Sequence, residues 1–118
     1  MQYLLLIYQN EAELAAARGT ASFGEMMQAY KDFTQDIIRG GQFKAGDALH
    51  PTTSATTVRV RDGKILTTDG PFAETREQLG GYYLIEAKDI DEATAIAARI
   101  PSAKFGSIEV RPIMVYTN

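Results

Sequence analysis

The stretch Tyr3-Leu4-Leu5-Leu6-Ile7-Tyr8 is apolar throughout and is closed by the polar pair Gln9-Asn10. So short and continuous a run predicts a strand over Gln2 to Tyr8. It also predicts a strand covered on both faces, because a strand with one wet face alternates apolar and polar residues. Tyr82-Tyr83-Leu84-Ile85 and Ile113-Met114-Val115-Tyr116 show the same pattern.

Outward from that strand, Glu11 to Arg18 is Ala-rich and holds a helical turn that Gly19 stops. From Ser22 onward, Met26, Tyr30, Phe33 and Ile37 recur at helical spacing, with Met27 and Ile38 widening the stripe. This spacing predicts a helix begun by Ser22, with Glu25 three residues on, and ended by Gly40-Gly41. Phe43 to Leu49 is a weaker strand interrupted by Gly46. Thr56 to Arg61 and Lys64 to Thr68 flank Asp62-Gly63, the strongest short-range signal for a β-hairpin, since both turn residues must tolerate φ > 0. Leu79 to Ala87 is a further strand, and Gly80-Gly81 at its start suggests a bulge or a close backbone approach. Asp89 with Glu92 opens a second helix carrying Ile90, Ala93, Ile96, Ala97 and Ile100, and Pro101 ends it. Ile108 to Tyr116 is the last strand, and Pro112 favours a sheet edge or a bulge there.

This order is an α+β plan: a ferredoxin-like antiparallel sheet with two helices on one face and an extra β-hairpin. Two helices cover one face of such a sheet. The strands apolar on both faces therefore predict a homodimer in which a second copy covers the other face.

At 118 residues the chain has the length of one domain, spanning 1–118. With 45% hydrophobic and 23% charged residues its composition is that of a globular protein. It has no cysteine, which excludes thiol catalysis, disulfides and Cys-based metal sites and suits a reducing cytoplasm. The apolar run at Tyr3 is far too short to cross a membrane and lacks the basic lead of a signal peptide, so a cytoplasmic protein without a membrane partner is expected. Net charge is −3 and the pI about 5.1. Basic residues are scattered, with the densest group, Arg59, Arg61 and Lys64, around one turn, so nucleic-acid binding is not expected. There is no glycine-rich phosphate loop and no Gly-x-Ser-x-Gly elbow, and one histidine permits no paired-His metal motif. No metal and no cofactor are expected.

The block Asp69-Gly70-Pro71-Phe72-Ala73-Glu74-Thr75-Arg76-Glu77-Gln78-Leu79-Gly80-Gly81-Tyr82-Tyr83 resembles the signature of the DGPF branch of the YCII-related family. The resemblance extends to Thr56-Thr57-Val58-Arg59 and Asp62-Gly63-Lys64 upstream and to Ile108-Glu109-Val110-Arg111-Pro112 downstream, covering essentially the whole chain. It implies a ferredoxin-like protomer that forms a dimeric α/β barrel. It implies little about chemistry. Members are often encoded beside alternative sigma factors of the extracytoplasmic type, and an enzymatic role has been proposed for the wider family. That proposal leans on a His–Asp pair with the His on the first helix. Counting back from Gly41, the matching position here is Tyr30, so the pair does not carry over.

Candidate catalytic residues are Asp69, His50 and Tyr30. Asp69 precedes a Gly70-Pro71 turn, where an aspartate either accepts backbone N–H bonds or offers a carboxylate at a cleft rim as general base. His50 is the one imidazole, a natural proton shuttle or a plain loop residue held extended by Pro51. Tyr30 lies on the apolar helix stripe, where a tyrosine is a core residue with its hydroxyl on a partner, or meets a ligand. Arg59, Pro71, Phe72, Glu74 and Gly81 are the candidate ligand contacts, with Arg59 on the same side of its strand as Thr57 and Arg61. The expected function is small-ligand binding with proton-transfer chemistry. The rival is a non-catalytic binding or regulatory module linked to sigma-factor responses.

Overall fold

In the computed structural model, which describes residues 1–116, the apolar run forms β1 (Gln2–Gln9) at the centre of the sheet. It is followed by α1 (Glu11–Ala17), α2 (Ala21–Arg39) and β2 (Phe43–Ala48). A 3₁₀ turn at Thr52–Ser54 leads to β3 (Thr56–Arg61) and β4 (Lys64–Asp69). Then come β5 (Gln78–Glu86), α3 (Ile90–Ala98), a second 3₁₀ turn at Pro101–Lys104 and β6 (Ser107–Pro112). The main sheet has the order β2-β5-β1-β6 with every pair antiparallel, the ferredoxin-like arrangement. β3 and β4 pair with each other as a separate two-stranded ribbon.

One face of the sheet makes the core. Tyr3, Leu5 and Ile7 of β1 and Tyr83 and Ile85 of β5 are buried with Phe33 and Ile37 of α2 and Ala93, Ile96 and Ala97 of α3. The intervening Leu4, Leu6, Tyr82 and Leu84 are half-buried on the face away from the helices. In register, Leu4 stands between Leu84 and Arg111, and Leu6 between Tyr82 and Glu109. That face thus carries an apolar centre with charges toward β6.

Local chemistry accounts for most of the boundaries. Asp89 caps α3 by accepting the Glu92 backbone N–H at 2.9 Å. Asp62 and Gly63 both take positive φ, 51° and 74°, as the two-residue hairpin turn requires. The β1–β5 register shifts between Ile7 and Tyr8, leaving Gly80 as the extra residue of a bulge. Pro112 ends β6 on a sheet edge, where its missing N–H costs no ladder bond.

Four details differ from the sequence reading. Glu11–Ala17 is a helix in its own right, capped by the Asn10 side chain, so there are three helices. α2 starts two residues early because Thr20, not Ser22, accepts the Phe23 N–H. α3 stops at Ala98, and Pro101 opens the following 3₁₀ turn. Met114, Val115 and Tyr116 lie beyond the last strand and are exposed, so they add nothing to the apolar sheet face.

Candidate functional site

A cavity of about 420 Å³ opens between the α1–α2 pair and the β2 side of the sheet. Amphipathic spacing builds its outer wall: the stripe of α2 turns Phe23, Met26 and Met27 toward it, and Leu14 joins them from α1. Ile7 and Phe43 border it from the strands, and Leu49 from just beyond β2.

Glycines make room on the sheet side. A Cβ on Gly46 would stand 2.8 Å from the Tyr83 ring, and one on Gly81 would stand 2.9 Å from the Asp47 carbonyl oxygen. Both distances are too short for a real side chain, so β2 and β5 hold their spacing there only with glycine. Gly81 therefore has a packing role as well as a place in the cavity wall.

The polar groups are few and paired. Ser102, fully buried in the turn after α3, donates its hydroxyl to Gln9 Oε1 at 2.9 Å, and the Tyr30 hydroxyl lies 2.5 Å from Ser102 Oγ. Since the Ser102 proton is given to Gln9, Tyr30 is the donor to Ser102. Thr34 Oγ1 and the Tyr83 hydroxyl form a second pair at 2.7 Å. Burial pushes both phenols above their ordinary pKa, with the Ser102 and Thr34 hydrogen bonds acting in the opposite direction. Both are neutral at pH 7 and act there as hydrogen-bonding groups, not as phenolate bases.

Of the residues expected from sequence, Tyr30 and Gly81 line this cavity. His50 is exposed and does not line it, though its neighbour Leu49 does. The loop after His50 is fixed by Glu11, whose carboxylate accepts the Thr52 N–H at 2.8 Å and the Thr52 hydroxyl at 2.7 Å. Asp69 ends β4 opposite Thr56 and is exposed. The turn after it is closed by Gly70 N–H on the Ala55 carbonyl at 2.7 Å and by the Thr57 hydroxyl on the Gly70 carbonyl at 2.8 Å. Among the described residues the Asp69 carboxylate accepts no backbone N–H, so the turn does not depend on it. Arg59 reaches the Phe72 carbonyl only at 3.5 Å, and Pro71, Phe72 and Glu74 are exposed on the loop beyond. The end of that loop is tied to α1: Gln78 Oε1 accepts the Glu11 N–H at 2.9 Å, and Asn10 Nδ2 donates to the Arg76 carbonyl at 3.2 Å.

Gln9, Ser102 and Thr34 were not singled out from sequence. Gln9 carried a signal, because alternation from Tyr3, Leu5 and Ile7 puts a polar side chain on the apolar face. Ser102 carried none, since a serine after a proline reads as an ordinary turn residue. Among the described residues no group of three His, Cys, Asp or Glu side chains gathers to hold a metal ion. No helix among them is long and apolar enough to cross a membrane.

The model of the YCII-related domain matches residues 1–117. The chain belongs to the YCII-related family. It is 36% identical over 118 residues to the "uncharacterized protein R00369" of Rhizobium meliloti (strain 1021), covering 98% of this chain and 94% of that protein. Among solved structures, this YCII-related chain is similar to 5-chloro-2-hydroxyhydroquinone dehydrochlorinase (TftG) from Burkholderia phenoliruptrix AC1100. That match has a TM-score of 0.56 at 13% identity and covers 97% of this chain and 94% of the other. At that identity the likeness is one of fold.

Proposed function

We propose that the protein is a homodimer that takes a small organic molecule into the cavity beneath α1 and α2, with Tyr30 hydrogen-bonding to it during acid/base chemistry. The observation that carries this reading is the cavity itself: about 420 Å³, largely apolar, with the Tyr30–Ser102–Gln9 chain at its wall. Ligand sites of roughly 300–1,000 Å³ with a few placed polar groups are the usual form of a small-molecule pocket. The TftG structure is a complex with 2,5-dihydroxybenzoquinone, a small ring compound, which supports the same size class here.

Proton transfer needs a base besides a neutral phenol. We assign that role to His50, which follows the lining residue Leu49 directly in the chain, with Asp69 and the contacts Arg59, Pro71, Phe72 and Glu74 meeting the ligand from the ribbon and its loop. The block from Asp69 to Tyr83 supports membership of the DGPF branch, and the cysteine-free composition suits the cytoplasm. One observation favours the rival, a binding module without chemistry: the Tyr30 proton is already given to Ser102.

Titration of the isotope-labelled protein with 1-naphthalenemethanol, followed by NMR, tests the cavity. Saturable shifts are expected at the amides of Met26, Tyr30, Gly46 and Gly81. Met26→Trp, which fills the space with an indole, should abolish them. Shifts confined to β3 and β4, or unchanged in Met26→Trp, would overturn the reading.

A further inference from the structure

Two residues with charged side chains border the cavity, Arg18 and Asp47, and the fold treats them differently. Asp47 stands opposite Tyr82 in the β2–β5 ladder, and its carboxylate accepts the Tyr82 hydroxyl at 2.6 Å. Directly opposed residues of an antiparallel pair share a face, and neighbours along a strand point to opposite faces. Tyr83 points into the helix-side core, so Tyr82 and the Asp47 carboxylate project from the far side of the sheet. The charge of Asp47 is thereby removed from the cavity.

Arg18 is left. It follows α1 as its C-terminal cap and forms no ion pair among the described residues. Glu11, on the same helix, has its carboxylate engaged by Thr52. Glu13 borders a second, smaller cavity of about 240 Å³ that shares Leu14, Phe23 and Met26 with the first. The larger cavity thus has a largely apolar interior and one unpaired cation at its edge.

Resting on the cavity reading above, we infer that the ligand is a small amphiphilic anion, with its apolar body among Phe23, Met26 and Met27 and its acid group on Arg18. Methionine side chains are unbranched and polarizable, so they adapt to a flat ring. A guanidinium presents a planar fork of donors that matches a carboxylate two bonds at a time. Apolar space beside an unpaired cation favours a molecule that fills the one and neutralises the other. A cation at a helix C-terminus is also favourable for the helix itself, so affinity, not stability, is the readout that separates the two roles.

The test compares 1-naphthoate, 1-naphthalenemethanol and 1-naphthylmethylammonium on the full chain and on Arg18→Gln and Arg18→Lys, by NMR titration. In wild type, 1-naphthoate is expected to bind most tightly and the ammonium probe most weakly. Arg18→Gln should weaken 1-naphthoate about fivefold, as for an exposed ion pair, and leave 1-naphthalenemethanol unchanged. Arg18→Lys should restore part of the loss. Equal affinity of the acid and the alcohol, or tighter binding of the ammonium probe, overturns the anion inference while the cavity reading stands. So does equal weakening of acid and alcohol in Arg18→Gln. If none of the three probes shifts the amides of Met26, Tyr30 and Gly81, both readings fail together.

Discussion

The two sheets of this chain differ in strand sequence, continuous apolar runs in β1 and β5 against β-branched residues mixed with charges in β3 and β4, and they end in opposite surroundings. β1 and β5 bury Tyr3, Leu5, Ile7, Tyr83 and Ile85 beneath helices. The β3–β4 ribbon has a well-formed turn and full register, yet Val58, Val60, Ile65 and Leu66 are all exposed. The difference teaches that pairing and burial are separate problems. Pairing needs β-branched residues and a turn that tolerates positive φ, and both are local. Burial needs a second layer, and α2 and α3 provide one layer for one face. Register also sorts the ribbon: Val58, Val60 and Ile65 share one side, and Arg59, Arg61 and Lys64 share the other. A two-stranded ribbon is marginal alone, so in the proposed homodimer its apolar side is the region with most to gain from a second copy.

The largest expected effect breaks that assembly. Leu84→Glu places a charge at the apolar centre of the far sheet face and should convert dimers to monomers or aggregates, because an unpaired charge is costly to bury. Sedimentation velocity at low micromolar concentration reads it, and a monomeric wild type would remove the homodimer from the proposal.

A smaller effect compares the two sheets directly. Ile85→Ala empties a fully buried site and should cost about 2–5 kcal/mol in urea unfolding. Ile65→Ala, at a site 74% exposed, should stay within about 0.5 kcal/mol at concentrations where the chain is monomeric. A rise in the Ile65→Ala cost with protein concentration would show that assembly covers the ribbon.

The smallest effect is one of pH. Burial raises the pKa of Tyr30 and of Tyr83, so folding favours their protonated forms. Their contribution is complete below the unfolded tyrosine value of about 10 and is lost as pH rises through the higher folded values. Urea midpoints should therefore fall more steeply above about pH 10 in wild type than in Tyr30→Phe. Parallel curves would show that the Tyr30 hydroxyl titrates normally.

The same contrast explains what could be read in advance. The Asp62-Gly63 turn and the Asp89 cap are legible because each depends on residues close together in the chain, and the Gly80 bulge because its glycine marks it. The start of α2 is ambiguous in sequence because Thr20 and Ser22 are both hydroxyl residues two apart, and Gly19, at φ 84°, releases the chain early enough for Thr20 to cap. Tyr30 was legible as part of a stripe. Its partners were not, since the Ser102 hydroxyl and the Gln9 amide come from opposite ends of the chain. Arg18 reads as an ordinary end-of-helix cation until Asp47 is seen to turn away.

The Ser102 hydrogen bonds also bear on the order of folding. Ser102 lies 72 residues from Tyr30 and 93 from Gln9 along the chain. Contacts across such separations carry a large loop-closure cost and form after the local ones. The hairpin and the helices can exist before this junction closes, but the polar wall of the cavity cannot. A molecule that reads that wall therefore binds the finished fold and not its precursors, and it stabilises the native state by an amount that grows with the logarithm of its concentration over its Kd.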